Sequence, residues 1–239
     1  MSGRSQYPLI EPPAEVVVSV ESVIFSVDIA QSRLLVLLVT RQEPPCLGQW
    51  SLPGTLVSAH ESLEAAAYRV LSETIQVEDL YLEQLYTFGG PERNLRAGSA
   101  GRYLSVSYFA LVRFVASELV TQNSAVTWHA LGQVPPLAFD HDKILRYGYR
   151  RLRNKLEYSP VAFDVLPETF TLGDLYQLYC TVLGDQFSDY SNFRARLLKL
   201  GFLTDTGDKV SRGAGRPASL YRFDSEKFAP FKDKPLVFV

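Results

Sequence analysis

The chain has 239 residues, of which 46% are hydrophobic and 21% charged, and a formal net charge of -2. This composition is typical of a folded globular protein, excludes a disordered chain, and provides apolar material for two cores. The near-balanced charge excludes a uniformly basic nucleic-acid coat but permits a local basic face. Two cysteines exclude a disulfide framework and a multi-cysteine zinc site, and the three histidines are too scattered for metal-ligand spacing.

The N-terminus has no feature of an exported protein. Residues 1–14 are polar and interrupted by prolines, which predicts a flexible arm without the apolar segment of a secretory signal. The longest aliphatic run, Leu34 to Val39, is far shorter than the roughly 20 apolar residues that cross a bilayer. We therefore expect a cytoplasmic protein that does not contact a membrane.

Residues 15–138 alternate between strand patterns and one long helical pattern. Ser62 is a candidate N-cap for that helix. The predicted strands are Val16–Val27, Leu34–Thr40, Leu82–Phe88, Tyr103–Phe114 and Val126–Ala130, and the helix is Ser62–Ile75. This order indicates an α+β fold, a mixed sheet and helix sandwich, rather than a parallel doubly wound sheet.

Residues 139–160 predict a linking helix, from about Asp140 to Glu157. Apolar residues and one glycine recur on one face: Ile144, Leu145, Gly148, Leu152 and Leu156. Basic residues fill the predicted outer face: Lys143, Arg146, Arg150, Arg151, Arg153 and Lys155. Pro160 and Pro167 bracket a short connector beyond it.

Residues 161–239 have the pattern of a winged helix-turn-helix domain. Thr171 with Asp174 three residues later predicts a capping box, and Gly184 ends the helix that it opens. A second helix is predicted from a cap at Ser188 to Gly201. Two strand-like segments follow within residues 202–223, which completes the order helix, turn, helix and hairpin.

Residues 52–77, LPGTLVSAHESLEAAAYRVLSETIQV, resemble the Nudix box of diphosphate hydrolases. The matching positions are Glu61, Arg69, Leu71, Glu73 and Val77, whereas Thr55, Val70, Thr74 and Gln76 replace Gly, Glu, Glu and Gly of the motif. The helix carboxylates of the box hold Mg²⁺ against the diphosphate. Positions 70, 73 and 74 share one helix face, and only position 73 keeps its acid.

The spacing of Gly54, Glu61 and Arg69 favours this resemblance over a plain amphipathic core helix. We therefore predict a Nudix fold without hydrolysis, with no catalytic residue and no metal site. The alternative is a Mg²⁺-dependent hydrolase of ADP-ribose-like nucleotide diphosphates, for which the remaining nearby acids would have to suffice.

Binding of a phosphorylated ligand can persist without catalysis. The predicted ligand-binding residues are Arg41, Arg93, Arg96, Arg102, Tyr103 and Glu73. Arginine binds phosphate bidentately without a metal, and an aromatic ring stacks on a nucleobase. Tyr86, Phe88 and Tyr108 are further stacking candidates. The alternative is that the arginines form a solvated loop, the aromatic residues belong to the core, and Glu73 only pairs with Arg69.

The C-terminal part carries a local basic patch. Seven basic residues and two acidic ones lie between Arg194 and Arg222, in a chain that is slightly acidic overall. The predicted DNA-binding residues are Ser191, Asn192, Arg194, Arg196, Lys199, Arg212 and Arg216. The helix would enter the major groove and the glycine-rich segment 211–217 would form the wing. The alternatives are a solvated face or an adaptor that docks an acidic protein.

Together the two halves resemble the Nudix-related transcriptional regulators, the NrtR family. The matching stretches include WSLPG at 50–54, LYTF at 85–88, RYLSVSYFALV at 102–112, LAFDHDKIL at 137–145 and RPA at 216–218. The resemblance implies a homodimer that binds a palindromic DNA operator and releases it when ADP-ribose, or a related phosphorylated metabolite, occupies the Nudix domain. It also implies repression in NAD metabolism without a required cofactor. Thr55 and the residues at 97–101 depart from the commoner pattern.

Overall fold

A computed structural model of the chain describes residues 15–74, 82–91, 93, 102–113, 125–184, 187, 189–211 and 216–231. Its strands are β1 (Val16–Asp28), β2 (Arg33–Thr40), β3 (Trp50–Ser51), β4 (Gly54–Leu56), β5 (Glu83–Phe88), β6 (Arg102–Val112), β7 (Val126–Ala130), β8 (Phe170–Thr171), β9 (Leu203–Val210) and β10 (Ala218–Phe223). Its α-helices are α1 (Leu63–Thr74), α2 (His141–Tyr158), α3 (Val161–Asp164), α4 (Leu172–Leu183), α5 (Tyr190–Leu200) and α6 (Ser225–Phe228). None of these helices has both the length and the apolar character needed to span a bilayer.

The first seven strands form one mixed sheet, as predicted. β1 and β6 run parallel, from Val16 beside Arg102 to Ser26 beside Val112. β1 also pairs antiparallel with β2 and β4, β2 with β3 and β7, and β6 with β5. The long parallel pair therefore lies in the middle of the sheet, where side chains are covered on both faces.

The two faces of this sheet carry different helices because side chains alternate along β1. Ile24 packs with Leu71 of α1 on one face. Val23 lies on the other face, in the same cluster as Ile144 and Leu152 of α2. The α+β sandwich expected from the sequence is therefore confirmed.

The predicted boundaries differ from the observed ones mainly at short elements. Ser62 caps α1, since its Oγ accepts a hydrogen bond from the amide of Ala65 at 3.1 Å. Strands β3 and β4 were not predicted, because segments of two and three residues carry no measurable period. The predicted ends of α1 at Ile75 and of β6 at Phe114 fall outside the described residues.

The C-terminal domain has the predicted order, with two corrections. The capping box is confirmed: Thr171 Oγ1 accepts from the amide of Asp174 at 3.1 Å, and Asp174 Oδ2 accepts from the amide of Thr171 at 3.0 Å. The cap of α5 is Asp189 rather than Ser188, because Asp189 Oδ1 accepts from two amides of the first turn. Strands β8, β10 and β9 form the small sheet, and α3 replaces the expected connector.

Helix α2 joins the two domains through a continuous core. One hydrophobic cluster extends from Phe25 of the sheet through Leu152 of α2 to Leu178 of α4 and Phe193 of α5. The hydroxyl of Tyr149 also donates to the carbonyl of Val182 at 3.0 Å. The composition suggested two cores, whereas α2 buries residues against both domains and fuses them.

The basic residues of α2 do not all lie on its outer face, as the sequence suggested. Arg151 and Lys155 both pair with Glu83 of β5, and Arg151 also donates to the carbonyl of Leu85 at 3.2 Å. These contacts hold the C-terminal half of α2 on the sheet. The helix is therefore fixed to the N-terminal domain along most of its length.

Candidate functional site

A cleft of about 960 Å³ opens on the N-terminal domain, between the ends of β1, β4 and β6, the loop after β2 and the first residues of α2. Four of the six predicted ligand-binding residues line it: Arg41, Glu73, Arg93 and Tyr103. These four come from distant parts of the chain. The fold therefore brings together most of the set that the sequence singled out.

Arg93 is fixed by a buried ion pair. Its guanidinium donates to Asp140 Oδ1 at 2.8 Å and to the carbonyl of Phe88 at 2.6 Å, and both charged side chains are less than a tenth exposed. Breaking such a pair from one side leaves an uncompensated buried charge. Arg93 therefore positions the wall of the cleft and the start of α2.

His141 is a neutral base in the same wall. Its Nδ1 accepts a hydrogen bond from the amide of Leu52 at 3.0 Å. Burial lowers the pKa of His141 to about 4, because the charged imidazolium is poorly solvated there. No local pattern assigns this role to His141, because the contact links positions 89 residues apart.

Arg41 lies at the rim, held by the loop that follows β2. Its Nε donates to the carbonyl of Pro45 at 2.8 Å, and its guanidinium lies 4.8 Å from the centre of the Phe139 ring. Phe139 has a positive φ of 55°, a conformation that is uncommon outside glycine. This backbone turns the chain into α2 and presents an aromatic wall that the sequence analysis missed.

Ser19, Glu21 and Ser105 form the floor of the cleft. Glu21 is 7% exposed, and its Oε1 accepts from Ser19 Oγ at 2.7 Å. The two serine hydroxyls are 3.0 Å apart. A glutamate in the middle of a buried strand of valines and serines was the available signal for this floor, and the predicted ligand contacts did not include it.

The other predicted ligand contacts lie elsewhere. Arg102 does not line the cleft; it donates to the carbonyl of Gly89 at 3.2 Å. Tyr86 and Phe88 pack on Tyr147 of α2, with ring centres 5.0 and 5.8 Å away. Tyr108 is 2% exposed in the core, so its ring cannot stack on a ligand. Arg96 lies outside the described residues.

One of the remaining acids of the box, Glu61, is already held in an ion pair. Arg69 binds Glu61 with two hydrogen bonds, of 2.8 and 3.2 Å, and this pairing lowers the pKa of Glu61 to about 2. Arg69 also donates to Thr55 Oγ1 at 3.4 Å. The partner of Arg69 is therefore Glu61 rather than Glu73, which corrects the alternative considered for Glu73.

The Nudix fold implies Mg²⁺, and the donors present do not fit it. Of the three positions that share the metal-facing side of α1, Val70 is buried and apolar, and Thr74 donates its hydroxyl to the carbonyl of Val70. Only Glu73 offers a carboxylate. Within the described ranges, no three carboxylate, imidazole or thiol groups converge as a metal site would require.

Helix α5 presents the second candidate surface. Phe193 and Leu197 anchor it in the core, and the predicted contacts Ser191, Asn192, Arg194, Arg196 and Lys199 are exposed. Arg194 and Arg196 are two residues apart, which places them about 200° apart around the helix axis. They therefore flank the exposed face, whose centre is formed by Ser191, Ala195 and Lys199.

Two further features modify the predicted nucleic-acid face. Asn192 Nδ2 donates to Asp189 Oδ2, so its amide takes part in the cap of α5. Arg216 is exposed just before β10, whereas Arg212 falls outside the described residues. Arg222, counted in the basic patch, pairs with Glu168 at 3.1 Å.

Two family models match the chain, one in each half. The NUDIX domain model matches residues 20–148, and the model of the AraR C-terminal winged HTH domain matches residues 158–239. The chain is 35% identical over 224 residues, 92% of its length and 86% of the relative's, to the "ADPR responsive transcriptional repressor NtrR" of Acinetobacter baylyi. It is 29% identical to an ADP-ribose pyrophosphatase of Methanocaldococcus jannaschii, over 50% of this chain and 68% of that protein.

A solved structure extends the likeness to three dimensions. Shewanella oneidensis NrtR complexed with a 27mer DNA matches with a TM-score of 0.75 and 35% sequence identity, over 91% of this chain and 98% of that one. The match includes both domains, and so confirms the resemblance drawn from the motifs. The chain belongs to the NrtR family of Nudix-related transcriptional regulators.

Proposed function

We propose that this protein is a homodimeric transcriptional repressor of NAD metabolism that binds a palindromic operator and releases it when ADP-ribose fills the cleft. One observation carries the proposal: α2 begins in the wall of the cleft, at His141, and packs further along on α4 of the winged helix domain. A ligand that contacts the start of α2 therefore acts on the element that orients the DNA-binding domain.

The chemistry of the cleft supports a nucleotide diphosphate as effector. Arg41 and Arg93 bring positive charge to it, and Phe139 and Tyr103 bring aromatic surface. The Acinetobacter baylyi relative responds to ADPR, and ADP-ribose is the part of NAD that remains when nicotinamide leaves. We keep Arg102, which lies near Gly89 beside this region, as a predicted contact.

We further propose that the cleft binds without hydrolysing. Val70 and Thr74 stand where a hydrolase needs acids, and Glu61 is tied to Arg69. The competing function is hydrolysis of ADP-ribose, favoured by the 29% identity to the pyrophosphatase. Incubation with ADP-ribose and Mg²⁺ or Mn²⁺ separates the two: release of AMP and ribose phosphate at an enzyme-like rate would establish the hydrolase.

On the DNA side, we propose that α5 enters the major groove with Ser191 and Lys199 over the base edges. Arg194 and Arg196 then reach the phosphates on either wall of the groove, because they lie on opposite flanks of the helix. The wing residue Arg216 adds a contact beside it. We propose two copies of the chain per operator, each placing one α5 on a half-site.

A mobility-shift titration on the upstream region of the regulated genes tests the proposal. Operator affinity should fall at least tenfold in an Arg194→Ala/Arg196→Ala variant, and its salt dependence should become shallower by about one to two released ions. Arg113→Ala, which removes an exposed cation after β6, is the matched control. Unchanged operator affinity in the double variant would reject the placement of α5.

The effector side needs its own variant. Arg41→Ala should leave operator affinity intact and weaken the release by ADP-ribose, because Arg41 lies at the exposed rim. Arg93→Ala is unsuitable, since it would leave Asp140 buried without its partner. Operator complexes that persist at saturating ADP-ribose in the wild-type protein would contradict the proposed effector.

A further inference from the structure

Glu21 has a carboxyl oxygen that the protein leaves without a partner. Oε1 accepts from Ser19, but Oε2 is buried and has no hydrogen bond of normal geometry from any residue that the structure describes. Buried polar groups of this kind are rare in native proteins, because each one costs free energy. A carboxyl group in this state at the floor of a ligand cleft indicates that a ligand supplies the missing bond.

A hydrogen-bond partner for Glu21 Oε2 can approach from the cleft. Strand β4 covers the carboxyl from one side: a Cβ on Gly54 would lie 2.8 Å from the carbonyl oxygen of Val20 and 3.1 Å from Glu21 Cγ. The parallel partner β6 lies on the other side with Ser105. Gly54 therefore allows the backbone of β4 to approach Glu21 closely, while Glu21 itself lines the cleft.

Burial favours the neutral form of Glu21. Burial is the largest effect and raises the pKa of Glu21, with the negative charge of Asp140 in the same direction. The hydroxyls of Ser105 and Ser19 and the positive charge of Arg93 act against this, and the net direction remains upward. A neutral carboxyl has one O–H group to donate, whereas a carboxylate only accepts.

We propose that Glu21, Ser19 and Ser105 form a subsite for a ribose hydroxyl of the effector, which makes the hydrogen bond that Glu21 Oε2 lacks. This rests on the proposed binding of ADP-ribose. A hydroxyl both accepts and donates, so it can accept from Glu21 and donate to Ser105 Oγ. A phosphate at this place would lie against Glu21 and Asp140, so the subsite selects the uncharged part of the ligand.

Two substitutions at one position test the donor. In Glu21→Gln the side-chain amide keeps an acceptor for Ser19 and a donor for the ligand, so calorimetry should give an ADP-ribose affinity within about threefold of wild type. In Glu21→Leu both are lost, and the affinity should fall at least tenfold. A large loss with Gln would reject the neutral donor, and unchanged affinity with Leu would reject the subsite.

Stability measurements keep the test independent of misfolding. Without ligand, Glu21→Leu should melt at or above the wild-type temperature, because it removes a buried polar group that lacks a partner. Ser22→Ala, a buried hydroxyl on the same strand that does not line the cleft, is the matched control and should bind ADP-ribose normally. Wild-type protein that fails to bind ADP-ribose would overturn the proposed function, whereas wild-type binding with an unaffected Leu variant would overturn the subsite alone.

Discussion

Asp140 and His141 are adjacent in the chain and carry different charge in the same wall of the cleft. Asp140 forms an ion pair with Arg93, whereas burial keeps His141 neutral. Each residue depends on a contact with a distant part of the chain. Arg93 is 47 positions from Asp140, and Leu52 is 89 positions from His141. Composition and spacing predicted Arg41, Glu73 and Arg93 as ligand contacts, because arginines and box acids have recognisable chemistry, but long-range partners leave no local pattern.

The buried imidazole makes stability depend on pH. The pKa of His141 is about 4 in the folded protein and 6.5 as the ordinary value, so the unfolded chain binds more protons between these values. The folded protein therefore loses stability because of His141 as the pH falls from 6.5 towards 4, by up to about 3 kcal/mol. Above pH 6.5 this loss is absent. Urea unfolding at pH 4.5 to 7.5 should therefore show a smaller loss of stability with falling pH in His141→Asn than in the wild type.

The difference between the pH profiles of His141→Asn and the wild type separates the effect of His141 from that of other titrating groups. Glu21, whose pKa is raised, acts in the opposite direction, because its folded form keeps a proton that the unfolded chain gives up. His60→Asn, at an exposed position, is the control. Parallel pH profiles for His141→Asn and wild type would contradict a neutral buried imidazole.

Among the helices and strands, those with a local sequence pattern could be predicted, whereas the short strands could not. The capping box of α4 joins residues three apart, so the sequence alone predicted it. The start of α5 was placed one residue early, because Ser188 and Asp189 are both good caps and only the backbone path selects between them. Strands β3 and β4 exist because they pair with β2 and β1, which no local pattern encodes.

Helix α2 needs a glycine where it crosses the sheet. A Cβ on Gly148 would lie 2.9 Å from Val23 Cγ1, and a β-branched side chain in a strand cannot easily turn away. Gly148→Ala should therefore destabilise the protein by about 1–3 kcal/mol in urea unfolding, although alanine is the better helix former. Gly173→Ala in α4, where the nearest atom is 3.4 Å away, is the matched control and should be neutral or stabilising.

A second variant shows whether the close contact is the cause. Val23→Ala together with Gly148→Ala should recover part of the loss, because the smaller strand residue makes room for the new methyl group. If Gly148→Ala alone proved as stable as Gly173→Ala, the packing of α2 against β1 would be looser than described.

The cap of α5 places a negative charge beside the proposed DNA surface. Asp189→Asn keeps an acceptor for the amides of the first turn and removes the charge, so operator affinity should rise about two- to fivefold at low salt, with little change in stability. Asp189→Ala should cost about 1 kcal/mol of stability. Filter binding and thermal unfolding of the two variants measure these effects, and weaker operator binding by Asp189→Asn would contradict the argument.

At the scale of the whole molecule, the effector cleft and the DNA-binding domain share one core. Arg93 holds the first turn of α2 to the sheet, Glu83 holds its second half, and its other side packs on α4. Gln177 of α4 also donates to Ser32 Oγ in the turn between β1 and β2, at 2.8 Å. The two domains are therefore joined through one core, so that a ligand-driven movement of α2 would reach both of them.

The contact between Tyr149 and Val182 is one route for that response. Tyr149→Phe removes a hydrogen bond between α2 and α4 while keeping the ring. We expect the ratio of operator affinities without and with ADP-ribose to shrink about fivefold, with each separate affinity changed less. Tyr147→Phe, on the same helix but packed on Tyr86, is the control. An unchanged ratio would place the coupling elsewhere.

The length of α2 sets how small a movement in the cleft is sufficient. With 18 residues the helix is about 27 Å long, so tilting one end by about 5° moves the other by about 2 Å. A hydrogen bond to a base edge tolerates a displacement of only about a few tenths of an ångström between donor and acceptor. Under the proposed function, even a slight tilt of α2 would therefore be large enough, at its far end, to misalign an operator contact.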